Sequence, residues 1–174
     1  MRKIILMSII LFGFGCAKAQ SDVITKHSGE KVEGTVIRLD EYTITFKYVG
    51  EDAENTVSKY AVEKIVYGKS KRVEEITQKI IINGEDDWEK VVILEEKGYI
   101  AGLKKVGEVR GKTGLINFQT GNTGDKKAQK KLKMDAAKLG CPFILLTSDK
   151  VTVGANSNAL GGSQVIKTGV TYNY

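Results

Sequence analysis

Only one stretch of this chain repeats its apolar residues at helical spacing. Ala128, Leu132, Ala136 and Leu139 form a single stripe, with Thr123-Gly124-Asp125 as capping residues before it and Gly140 as the stop behind it. A helix is expected over Asp125–Leu139. Almost everything else that is apolar alternates or runs continuously, as strands do. A lone amphipathic helix has to bury its stripe on a sheet, so the fold class is α+β.

The first 19 residues stand apart. Arg2 and Lys3 precede an apolar run from Ile4 to Phe14 and then Ala17-Lys18-Ala19, the three parts of a secretory signal. The run is too short for a membrane span. Cleavage after Ala19 leaves Gln20 as the new end. Cys16 offers a second reading, lipidation and retention as a lipoprotein. If Cys16 departs with the signal, Cys141 is the one cysteine left, so no intramolecular disulfide supports the fold. Beside a strongly apolar run, Cys141 reads as a small buried hydrophobe.

Residues 20–70 are patterned as short strands. In Thr43-Ile44-Thr45-Phe46-Lys47-Tyr48 the apolar members alternate strictly, and in KVEGTVIRL the alternation slips near Ile37, which signals a bulge or bend. Turn signals at Ser28-Gly29-Glu30, Asp40-Glu41 and Gly50-Glu51-Asp52 cut the segment into four or five strands. Such strands close into a small barrel. On DVIT, GE, GTVI, TITFKY and the closing IVYG, this segment resembles the SH3/Sm-like β-barrel module found at the start of small secreted bacterial proteins.

Residues 71–90 read as a connecting hairpin or linker. Lys79-Ile80-Ile81-Ile82 leads into Asn83-Gly84, a hairpin turn signal, and Trp88 to Leu94 is expected as the returning strand or as the first strand of a second domain. Residues 91–174 then run strand, strand, helix, strand, strand, a ββαββ domain with one helix packed on its sheet. Phe143-Ile144-Leu145-Leu146 is continuous enough for a strand covered on both faces. Gly154 to Ser163 is expected to be a flexible loop, and Val165 to Tyr174 the last strand. On Leu103 to Val109, Ala128 to Leu132, Ala136 to Gly140 and Ile144 to Ser148, this part resembles the RcsF-like bacterial envelope lipoprotein family. The resemblance implies the fold and an envelope setting. The paired disulfides of that family have no counterpart here, so a disulfide-dependent signalling role does not follow from it.

Charge separates the two halves. Residues 101–174 hold 12 basic and 4 acidic side chains, whereas 20–70 hold 7 and 9, and 71–100 hold 5 and 8. The acidic balance of the barrel opposes phosphate binding, so no nucleic acid is expected as a partner. Gly111-Lys112-Thr113 imitates the end of a phosphate loop, but only three residues separate Gly107 from Gly111, Val106 stands where the first glycine belongs, and β-formers follow instead of a helix. No nucleotide is expected, nor any cofactor. His27 is the one histidine and falls in a turn, where a surface position is expected. No zinc-type cluster exists, and Glu85-Asp86-Asp87 lacks the alternate ligands of a calcium loop.

Three functions remain open. The first is a non-enzymatic interaction or stress-sensing protein at the periplasmic face of the outer membrane. It would offer the basic face Lys126, Lys127, Lys130, Lys131 and Lys133 to an anionic envelope surface, or bind another envelope protein. A hydrolase acting on envelope material through a carboxylate pair is the second. The third is a structural subunit that assembles by strand pairing.

Overall fold

The computed structural model describes residues 20–113, 121–153 and 163–174. It is a mixed α+β fold, mostly strands in two sheets, with one main helix. The signal segment with Cys16, and the loop expected over Gly154–Ser163 up to residue 162, lie outside the described residues.

Strands β1 (Asp22–Lys26), β2 (Lys31–Leu39), β3 (Thr43–Tyr48), β4 (Glu54–Ser58), β5 (Val62–Val66) and β6 (Val73–Glu75) make a six-stranded antiparallel sheet in the order β4-β3-β2-β1-β5-β6. The register slip foreseen near Ile37 is there: the β2–β3 ladder shifts between Val36 and Arg38, and Ile37 is turned out, 49% exposed. The bulge lets one long strand pair with β1 and then bend to serve β3. Ile24, Val32, Ile44, Phe46, Val57, Val62 and Ile65 fill the inside. β6 carries this sheet as far as Glu75, past the residue-70 boundary drawn from composition.

The hairpin expected around Asn83-Gly84 does not form. Among the described residues, Lys79–Ile82 join no ladder, and Glu85–Lys90 are a 3-10 turn rather than a strand. Asp87 decides this locally, because its carboxylate accepts the Asn83 N–H at 2.9 Å and folds the chain back on itself. The isoleucines are instead spent on two different cores, Ile80 against one and Ile82 against another, with Ile81 left 60% exposed.

The second sheet contains β7 (Val92–Leu94), β8 (Lys104–Lys112), β9 (Phe143–Val153) and β10 (Ser163–Asn173) in the order β7-β9-β10-β8, with β7 parallel to β9 and the other pairs antiparallel. The helix α1 spans Gly121–Lys138, so Thr123-Gly124-Asp125 lie within its first turns and not at its cap. Tertiary contact carries it past that capping signal: Gly124 is buried so closely that a Cβ there would meet Val165 Cγ2 at 3.2 Å. At the other end Gly140 takes φ +66°, donating to Ala137 O while Cys141 donates to Ala136 O, a Schellman cap. Leu139 falls in this cap and is half exposed, so the buried stripe is Ala128, Leu132, Ala136 and Ala137.

β9 is apolar throughout its first half because it is covered twice. Ile144 packs under the helix with Leu132, Ala136 and Cys141, while Phe143 and Leu145 face Tyr60, Tyr99, Ile100, Leu103 and Tyr174. The sheet therefore separates the helix from the first module, and Leu103 touches the cores on both sides of that junction. The Phe143 ring lies 5.3 Å from Tyr60 and 5.4 Å from Tyr174, centre to centre. Cys141 is fully buried, and burial pushes its thiol pKa up, although the Thr171 hydroxyl opposes this. It is an inert core residue.

His27 is not the surface residue its turn suggested. It is 9% exposed, under Tyr174 with ring centres 4.9 Å apart, and its Nε2 is 2.9 Å from Thr77 Oγ1. The Thr77 hydroxyl is committed to Val62 O at 2.8 Å, which places the imidazole proton on Nε2. Burial lowers the His27 pKa; Glu63 acts against the shift and Lys79 with it. The depressed folded-state value means that stability is complete above the unfolded pKa of about 6.5 and declines as pH falls below it. Urea midpoints measured between pH 7.5 and 5 should therefore fall, and the His27→Gln variant should show a flatter profile over the same window. Equal slopes for the two proteins would rule the coupling out.

Candidate functional site

The helix lysines do not act as one uniform face. Lys126 and Lys127 are exposed and Lys133 half-exposed. Lys130 lies with Nζ 4.7 Å above the Trp88 ring, a cation–π contact that fixes the 3-10 turn to the helix. Lys131 donates to Lys112 O at 3.1 Å, and Lys138 bridges Glu85 at 3.1 Å and Asp135 at 3.6 Å. The Glu85 carboxylate beside it raises the Lys138 pKa, against the small cost of burial.

A groove of about 390 Å³ runs between the helix and the β8 edge, lined by Glu85, Arg110, Lys112, Lys131, Met134, Asp135 and Lys138. Among the described residues it holds four cations against two carboxylates. Of the five lysines proposed from sequence, Lys131 alone lines it. Arg110 and Lys112 were missed as partners. Their alternation with buried Val109 and Gly111 is visible in the sequence, but the neighbourhood with Lys131 and Lys138 depends on where the helix docks.

The Gly111-Lys112-Thr113 triplet has a structural use. Gly111 pairs with Lys167 in the β8–β10 ladder, and the Thr113 N–H donates to Val165 O at 3.1 Å while its hydroxyl accepts the Val165 N–H at 3.0 Å, so both residues are tied to the sheet. Thr113 itself lies outside any helix.

Two carboxylates do converge, at Asp125 and Asp149. Lys167 Nζ sits between them, 2.7 Å from Asp125 Oδ1 and 2.5 Å from Asp149 Oδ2. The ammonium occupies the space where a water or a scissile bond would have to lie in a carboxylate-pair enzyme. Among the described residues no group of His, Cys, Asp or Glu is placed to hold a metal ion, and no helix is long and apolar enough to cross a membrane.

Comparison with models of protein families, with curated proteins and with solved structures found no match to this chain.

Proposed function

We propose that the protein is a non-enzymatic exported envelope protein, an interaction or stress-sensing module at the periplasmic face of the outer membrane. It meets anionic surfaces with the basic groove beside α1. The observation that carries this is the joining of Arg110 and Lys112 on β8 to Lys131 and Lys138 on the helix, which also exposes Lys126 and Lys127. Cations brought together from a strand edge and a helix concentrate positive potential where an anionic headgroup or polymer can approach.

The SH3/Sm-like reading of the first module is supported by its meander β1 to β4, by the 3-10 turn Lys59–Ala61 before β5, and by the return of β5 to β1. For the second module, the RcsF-like reading is supported by a helix docked on a four-stranded sheet. With its two modules packed side by side, the chain is a compact binding body exported by its first 19 residues.

Binding to vesicles that contain anionic lipid tests the reading. The protein should bind at low salt and release steeply as salt rises. Each cation near such a surface contributes about 1 kcal/mol, so the double variant Arg110→Glu, Lys112→Glu should bind at least about thirty-fold more weakly. Neutral vesicles should bind little in every case. Low-salt affinity that ignores both salt and the double variant would defeat the proposal.

A further inference from the structure

A second cleft, of about 340 Å³, lies at the opposite edge of the second sheet, where β7 leaves it. Its lining is unlike the rest of this basic chain: Tyr42, Tyr60 and Tyr99, the aliphatic Ile93 and Leu94, and the carboxylates Glu95 and Glu96, with no basic side chain among the described residues. Tyr42 comes from the β2–β3 turn of the first module, Tyr60 from the 3-10 turn before β5, and Tyr99 from the 3-10 turn Lys97–Ile100 after β7. The cleft exists only because the two modules pack together.

The rings are held in place before any ligand arrives. Tyr42 and Tyr99 lie with centres 4.6 Å apart and planes tilted by 39°, which makes one continuous aromatic wall. The Tyr42 carbonyl accepts Lys59 N–H at 2.9 Å, and Tyr60 is backed by Phe143. Glu41 beside Tyr42 raises that hydroxyl's pKa by hydrogen bonding and by charge, while burial and then Glu96 raise that of Tyr99.

We infer that this cleft binds the quaternary ammonium group of a small organic cation. Three tyrosine rings, two carboxylates and the aliphatic side chains of Ile93 and Leu94 line it together, so aromatic surface, counter-charge and apolar contact for methyl groups are brought to one place. A metal ion would need oxygen ligands on several sides. Aromatic walls suit a soft, weakly hydrated cation instead.

Choline and its uncharged carbon isostere 3,3-dimethylbutan-1-ol, titrated into the purified protein with tyrosine ring resonances as the readout, separate charge from shape. Choline should shift the Tyr42, Tyr60 and Tyr99 resonances and bind at least about fivefold more tightly than the isostere, in line with a partly desolvated cation–π contact. Tyr99→Leu should weaken choline by a similar factor, with Tyr99→Phe staying within about twofold of the parent because the ring is kept. Glu96→Gln, an exposed change that leaves the packing alone, should also weaken it and stands in if Tyr99→Leu fails to fold. Equal binding of choline and isostere, no shift of these rings with choline, or unchanged affinity in folded Tyr99→Leu or Glu96→Gln would overturn the assignment. The basic groove is distant and unaltered in these variants, so vesicle binding reports on it separately.

Discussion

Gly111→Ala is expected to destabilise the protein by about 3 kcal/mol, the upper end of ordinary overpacking. In an open strand the same change helps, by roughly 0.5–1 kcal/mol, because glycine loses the most backbone entropy on folding. Here the added methyl has no room. A Cβ at Gly111 would lie 1.9 Å from Ala128 O and 2.9 Å from Leu132 N, and both of these are helix backbone atoms that no rotamer change can move aside. The β8 edge would have to back away from α1, opening the contact between Val109 and Leu132 that closes this core. Gly107, four residues earlier on the same strand, is the control. Its Cβ would meet only side-chain atoms, at 3.8 and 3.9 Å, so Gly107→Ala should be neutral or mildly stabilising. Urea midpoints for the two variants should move in opposite directions; matching midpoints would show that the helix does not press on β8 as described.

That glycine illustrates what the sequence exposes and what it hides. The alternation of Ile44 and Phe46, the slip at Ile37 and the stripe of Ala128, Leu132 and Ala136 are local patterns with a fixed period, and the structure uses each of them. The continuous apolar run at Phe143 announced burial on two faces, without naming what covers them. Gly111 carried a motif that pointed toward phosphate chemistry, yet it is there because helix and strand backbones nearly touch. Spacing has no way to encode that contact, since Ala128 and Gly111 meet only after the sheet has formed. The segment from Lys79 to Lys90 misled for a related reason. Its isoleucines look like a strand, but Ile80 and Ile82 serve different cores while Ile81 is exposed, and a period of two does not distinguish pairing from such threading.

The candidate sites were legible in the same uneven way. Lysines on a helix are obvious, and Lys131 does reach the groove. The sequence also shows that residues 71–100 are acidic where the following segment is basic, which foreshadows two edges of opposite charge. Tyr42, Tyr60 and Tyr99 sit in three separate turns, and nothing local relates them. The sheet order β7-β9-β10-β8 does so, because it puts β7 at the edge that faces the first module and β8 at the edge beside the helix lysines.

The double variant Asp125→Asn, Asp149→Asn is expected to cost about 3 kcal/mol, near the low end of what breaking a buried ion pair costs. Lys167 is 6% exposed on β10, opposite Asp149 on β9, and Asp125 reaches it from the helix. The ammonium thus ties α1 to the β9–β10 ladder. Both carboxylates remain partly in water, so either single substitution leaves one good partner and should cost much less. Removing both strands an ammonium in the protein, and that is the unfavourable species. Lys167→Met tests the reasoning from the other side, since it removes the buried charge and keeps the apolar stem, and it should change stability by no more than about 1 kcal/mol. Alkaline pH supplies a third comparison. Burial works against the Lys167 charge, but the hydrogen bonds to Asp125 and Asp149 outweigh it and raise the pKa. The pair's stabilisation is then complete below the ordinary lysine pKa and is lost as pH rises through the elevated one. The parent should lose stability in that range where Lys167→Met does not. A double variant as stable as Lys167→Met would mean that the ammonium escapes to solvent and that the tie between helix and sheet lies elsewhere.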